Sequence, residues 1–116
     1  MAIHISTDYY WIRPPQELKD RAYNLAYIGA LANKLKLNDI YNKAKAAHIE
    51  LCNQWDREGR AMAKKKTDIN WLGGGKQYYT ESLMSWDVDY GFTKQIADMC
   101  SIEECEQDLK QLLSNL

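Results

Sequence analysis

The apolar positions of residues 39–66 keep one helical period without contradiction. Ile40, Ala44, Ala47, Leu51, Trp55 and Met62 recur at steps of three, four and seven residues and share one face of a 3.6-residue helix. Asn38 stands as an N-cap and Asp39 puts negative charge in the first turn, while Lys64, Lys65 and Lys66 load the last turn with the sign that complements the helix dipole. The spacing predicts a core helix from Asp39 to about Lys66, roughly 40 Å long at about 1.5 Å per residue, with the rest of the chain packed along it.

Upstream, Leu18, Ala22, Leu25, Ile28, Ala32 and Leu35 form a second stripe, opened by Pro14 and Pro15 and carrying Glu17 and Asp20 in its early turns. This predicts a helix from about Pro15 to Lys36. The connection at Leu37-Asn38 is so short that residues 15–66 are expected to form an antiparallel helical hairpin. Ahead of it, residues 1–14 form an arm in which Ile3 and Ile5 alternate with His4 and Tyr9 to Ile12 is β-prone, so a short N-terminal strand is expected there.

After Lys66 the period stops, and residues 67–79, with Gly73, Gly74 and Gly75 in succession, read as a Gly-rich loop anchored by Trp71 and Leu72. Residues 80–116 read as short helices. One begins near Thr80 and runs through Leu83, Met84 and Trp86; Gly91 interrupts; a second carries Phe92, Ile96, Met99 and Cys100. Ser101 with Glu104 makes a capping box for the last, whose Ile102, Cys105, Leu109, Leu112 and Leu116 oppose Glu103, Glu106, Gln107 and Lys110. The predicted fold class is mainly α: a single-domain bundle of four or five helices over residues 1–116, built on the long hairpin.

Composition changes this picture little. A chain of 116 residues with 46% hydrophobic content can bury one core without disulfides or metal, and Cys52, Cys100 and Cys105 are an odd number in no framework spacing. No apolar run reaches the length of a membrane span, and the first residues lack the basic-then-apolar order of a signal peptide, so the expectation is a cytoplasmic protein with no membrane contact. Charge is more informative. Residues 1–66 carry 12 Lys and Arg against 7 Asp and Glu, a balance of +5; residues 67–116 carry 3 against 9, a balance of −6, which together give the −1 of the chain. The near-neutral total thus conceals a dipolar sequence with opposed patches.

Candidate chemistry is sparse. Gly73, Gly74, Gly75 and Lys76 form a candidate anion- or nucleotide-binding loop, although Gln77 follows the lysine where a phosphate loop needs Ser or Thr. His48 and Cys52, four apart on the central helix, have the spacing of a metal pair or a Cys–His nucleophile, but lie at the edge of a core stripe and lack a second local motif. A helix-turn-helix reading of residues 96–116 is opposed by Glu103, Glu104, Glu106 and Asp108, which would repel DNA phosphates. Arg57, Arg60 and Lys64 recur along the outer face of the central helix as a basic strip. Aromatic residues crowd two places: Tyr9, Tyr10 and Trp11 in the arm, and Trp71, Tyr78 and Tyr79 near the glycines. Tyr and Trp bury much area at low entropic cost, which enriches them at protein interfaces.

The leading functional expectation is therefore a non-enzymatic protein that binds another protein, as a small inhibitor, adaptor or assembly subunit. Its binding residues would be Tyr9, Tyr10, Trp11, Arg57, Arg60, Lys64, Trp71, Tyr78 and Tyr79, and its charge patches also suit a homo-oligomer. A nucleic-acid or nucleotide binder using the basic strip and the Gly73–Lys76 loop is the alternative, and a small enzyme using His48 and Cys52 ranks behind both. No catalytic set, cofactor or metal is expected.

Overall fold

The computed structural model describes residues 6–70 and 72–115. In chain order the elements are β1 (Thr7–Ile12), α1 (Gln16–Lys34), α2 (Asn38–Lys66), β2 (Asp68–Ile69), β3 (Gly75–Thr80), α3 (Trp86–Asp98) and α4 (Ile102–Ser114). The protein is mainly helical with a small sheet, and no helix among the described residues is long and apolar enough to cross a membrane. Two compact units can be distinguished, one from Met1–Pro14 and Asn53–Ser82, the other from Pro15–Cys52 and Leu83–Leu116.

The larger unit is helical, and α1 is its centre. Ala22, Leu25, Ala26, Ile28 and the run Gly29 to Ala32 are all buried, so the last turns of α1 are covered on nearly every side, and the helix packs along both α3 and α4. Small residues permit this close approach. The ring of Trp86 lies over Gly29, where a Cβ would come within 2.5 Å of Cη2. The core is completed by Ala44 from α2, Ala97 from α3, and Cys105 and Leu109 from α4.

The helix ends show why the segments stop where they do. Lys36 has φ 61°, and the N–H of Leu37 donates to Ala32 O at 2.8 Å while that of Lys36 donates to Asn33 O at 3.1 Å, so α1 closes in a left-handed C-terminal motif. Lys34 donates to the carbonyls of Ala97 and Cys100, satisfying acceptors at the C-terminal end of α3. Ser101 and Glu104 form the full capping box on α4 that their spacing predicts.

The smaller unit holds a three-stranded sheet in the order β1-β3-β2. β1 and β3 are parallel, with Tyr10 opposite Tyr78 and Trp11 opposite Tyr79, while β2 pairs antiparallel with β3. Gly75 opens β3 at φ 125°, and a Cβ there would come within 2.1 Å of Asp68 O, so the tight β2–β3 hairpin requires this glycine.

Several expectations are corrected. The Gly-rich loop of residues 67–79 contains β2 and most of β3, because β3 is completed by β1, more than sixty residues away, and parallel partners leave no local turn signal. Thr80 ends a strand rather than starting a helix, and α3 begins at Trp86, capped by Ser85, whose hydroxyl accepts from Val88 N. Gly91 does not interrupt it. Trp86, Asp89, Thr93 and Ala97 give α3 one buried face, and that packing carries the helix through the glycine. On α2, Ala47 and Met62 are exposed, whereas His48 and Ala63 are buried beside the predicted Ala44, Leu51 and Trp55. On α4, Ile102 is exposed and the buried positions are Cys105 and Leu109; Leu116 lies outside the described residues. Of the expected N-terminal strand, residues 2–5 also lie outside the described residues, and Tyr9 to Ile12 are in β1.

Candidate functional site

The site is built in the smaller unit, where the second half of α2 is tied to β3. Trp55, buried, donates its indole N–H to Glu81 O at 2.8 Å, and Ser82 Oγ donates to Asp56 Oδ1 at 3.0 Å. At the helix end, Thr67 Oγ1 donates to Ala63 O at 2.7 Å and accepts from the backbone N–H of Tyr78 at 3.1 Å and from Gln77 Nε2 at 3.3 Å. One hydroxyl thus joins the last turn of α2 to the middle of β3. That connection sets Arg60, Ala63 and Lys64 beside Gln77 to Thr80.

Strand alternation distributes the aromatics. Successive side chains point to opposite faces, so the in-register β1–β3 pairing separates Tyr9, Trp11 and Tyr79 from Tyr10 and Tyr78. On the first face Tyr79 stacks on Tyr9 at 6.0 Å between ring centroids and meets Trp11 at 5.4 Å. On the second, Tyr10 stacks on Tyr78 at 5.1 Å, and Lys66 Nζ stands 5.8 Å from the Tyr78 ring centroid as a cation–π partner. Tyr9 and Trp11 are 64% and 62% exposed, far more than two large rings need be if their only role were to seal a core.

Between β3 and α2 lies an open groove of about 600 Å³, lined chiefly by Trp11, Tyr79, Gln77, Thr80, Arg60 and Lys64. Its chemistry is mixed: the aromatic rings of Trp11, Tyr78 and Tyr79, the amide of Gln77, the hydroxyls of Thr67 and Thr80, and two cations, Arg60 and Lys64, that form no ion pair among the described residues. Thr80 Oγ1 is buried without a hydrogen-bond partner among the described residues.

Of the residues predicted for partner binding, Trp11, Arg60, Lys64, Tyr78 and Tyr79 line this one groove; Tyr9 stacks on its rim residue Tyr79, and Tyr10 lies on the Tyr78 side of the sheet. Arg57 is exposed on α2 but is not among the lining residues, and Trp71 lies outside the described residues. The anion-loop candidates occupy the β2–β3 turn. Gly73 N donates to Asn70 O at 2.9 Å, Gly74 O accepts from Asn70 N at 2.7 Å, Gly75 pairs with Thr7, and Lys76 stands opposite Asp8. Sequence reasoning missed Gln77, Thr67 and Thr80 because polar residues in a presumed loop carry no periodic signal. His48 and Cys52 share a face of α2 in the larger unit, as their spacing predicts, and Asp89 of α3 joins them.

Comparison of the chain with protein-family models, with curated proteins and with solved structures gives no match.

Proposed function

We propose that this protein binds an acidic segment of a partner protein in the groove between α2 and β3, acting as a small inhibitor, adaptor or assembly subunit. The observation that carries this reading is the meeting of Trp11 and Tyr79 with Arg60 and Lys64 in one open groove. Rings and guanidinium groups of this kind dominate binding energy at protein interfaces, and cations without carboxylate partners among the described residues favour a ligand that brings carboxylates.

Single-stranded nucleic acid would use the same residue types, but two features weigh against it. Tyr9 with Tyr79 and Tyr10 with Tyr78 already turn ring faces toward each other, at 17° and 22° between planes, which leaves fewer faces for bases. Two lining cations also make a small phosphate footprint. The finer architecture expected from sequence, a long antiparallel helical hairpin over residues 15–66, belongs to the same proposal.

The experiment is selection from a display library of short random peptides on the immobilised chain, with single-stranded DNA as competitor. Enrichment of Asp and Glu next to apolar residues, and loss of binding by the Arg60→Glu, Lys64→Glu double variant, would support the proposal. Peptides without acidic enrichment, or displacement of every peptide by DNA at equal concentration, would contradict it.

A further inference from the structure

We propose that Cys52 is a nucleophilic thiol, served by His48 as base and Asp89 as positioning residue, that accepts an acyl group from a small uncharged activated ester or thioester. Cys52 and His48 lie one turn apart on α2, with Sγ 3.6 Å from Nδ1. Across the unit, Asp89 in the first turn of α3 places Oδ2 2.8 Å from His48 Nε2. A carboxylate only accepts, so Nε2 carries the proton it donates to Asp89, and in that tautomer of the neutral imidazole the lone pair of Nδ1 faces the sulfur. Nucleophile, base and orienting carboxylate thus stand in the order that thiol and serine acyl transfer requires.

Burial is arranged to the same end. His48 is 0% exposed and is held edge-on by the Trp86 ring at 5.4 Å, and Asp89 is buried, so base and carboxylate are fixed and shielded from water. Cys52 alone of the three is partly exposed, whereas the Cys105 thiol, which donates to Ala97 O at 3.7 Å, is fully buried. A His–Asp pair that served only to fasten α2 to α3 would not need a solvent-reaching thiol on its second nitrogen. Sγ also lies 3.6 Å from the carbonyl oxygen of Met84, which fixes the sulfur beside an uncharged group and carries no cation or carboxylate to the thiol, as suits a small uncharged ester.

The chemistry balances without an added oxidant or metal. As Sγ attacks the ester carbonyl, the thiol proton passes to His48 Nδ1; the Sγ–C bond forms, the C–O bond to the leaving group breaks, and the leaving oxygen takes the proton from Nδ1. The acyl group stays on Sγ as a thioester, and the sum is acyl transfer from the ester oxygen to the thiol, with release of the alcohol.

The test uses p-nitrophenyl acetate on the full chain, with the acetylated cysteine located by peptide mass mapping. Acetylation of Cys52 in preference to Cys100, slowed by roughly 10²-fold in Asp89→Asn with an unchanged melting curve, is the expected result, since general-base assistance is typically worth 10²–10⁴-fold. As a check that needs no variant, iodoacetamide at neutral pH should alkylate Cys52 of the native chain faster than Cys100. Equal labelling of Cys52 and Cys100, or a Cys52 rate that ignores Asp89→Asn, would overturn the proposal.

Discussion

Trp11 and Tyr79 stand opposite each other in the parallel β1–β3 ladder with ring centroids 5.4 Å apart, and both line the groove beside Arg60 and Lys64. Each ring is substantially exposed, so their removal should separate binding from folding. Trp11→Ala and Tyr79→Ala are each expected to weaken partner binding by about tenfold or more while shifting stability by less than about 1 kcal/mol. Titration calorimetry with a selected peptide, paired with urea melts, measures both quantities.

Two helical glycines should respond in opposite directions to the same substitution. A Cβ at position 29 would meet Cη2 of the buried Trp86 at 2.5 Å, so Gly29→Ala forces that ring to move and should destabilise by about 1–3 kcal/mol. At Gly91 nothing lies within 4 Å and the residue is inside α3, so Gly91→Ala should stabilise by about 0.5–1 kcal/mol. Chemical denaturation of the two variants gives the comparison.

Lys36 occupies the left-handed position that closes α1, at φ 61°. Lys36→Gly removes the Cβ cost of that conformation and should raise stability by roughly 0.5–1 kcal/mol, less the greater freedom glycine gains when unfolded. A melting temperature lower than that of the parent chain would show that the lysine side chain supplies something the backbone argument omits.

Alkali should unfold this protein by a defined route. Burial, assisted by Cys100 and Asp108, pushes the Tyr27 phenol well above its usual range; burial also raises Tyr90, with Tyr41 and Asp98 as further causes, and is the first cause of the raised Cys105 thiol. Each folded-state pKa is raised, so the folded chain keeps protons that the unfolded chain releases. The stabilisation is complete below the ordinary values of 9.0 for the thiol and 10.0 for the phenols, and is lost as pH rises from there through the folded-state values. Urea midpoints should be flat from neutral pH to about 8.5 and decline above. Tyr27→Phe should make the decline shallower, at the cost of the hydroxyl bond to Asp108.

What the sequence disclosed and what it concealed follow from the range of the forces involved. Local signals read well: the Pro15 entry and the stripe of Ala22, Leu25 and Ile28 mark α1, the terminal lysines mark the end of α2, and Ser101 with Glu104 marks the start of α4. Distant pairing did not read. β3 gains its regularity from β1 across two intervening helices, and Gly73 to Gly75 hid it behind the composition of a loop. Gly91 reads as a breaker because glycine propensity is a local cost, which the buried face of Trp86, Asp89, Thr93 and Ala97 outweighs. The clustering of Trp11, Tyr79, Arg60 and Lys64 was half legible: the residue types invited an interface, but only the register of a parallel ladder brings them into one groove. Asp89 could not have been assigned to His48 at all, since 41 residues and a change of element separate them.

The most direct measurement is the response of Trp11 itself to an acidic peptide selected for binding. In a ¹H–¹⁵N spectrum the indole N–H of Trp11 should shift saturably during titration, together with the amides of Gln77 and Tyr79. The shift should weaken as salt is raised and vanish in the Arg60→Glu, Lys64→Glu variant. A peptide that binds while Trp11, Gln77 and Tyr79 stay unmoved, or whose affinity ignores both salt and the charge reversal, would contradict a groove that works by rings and cations together.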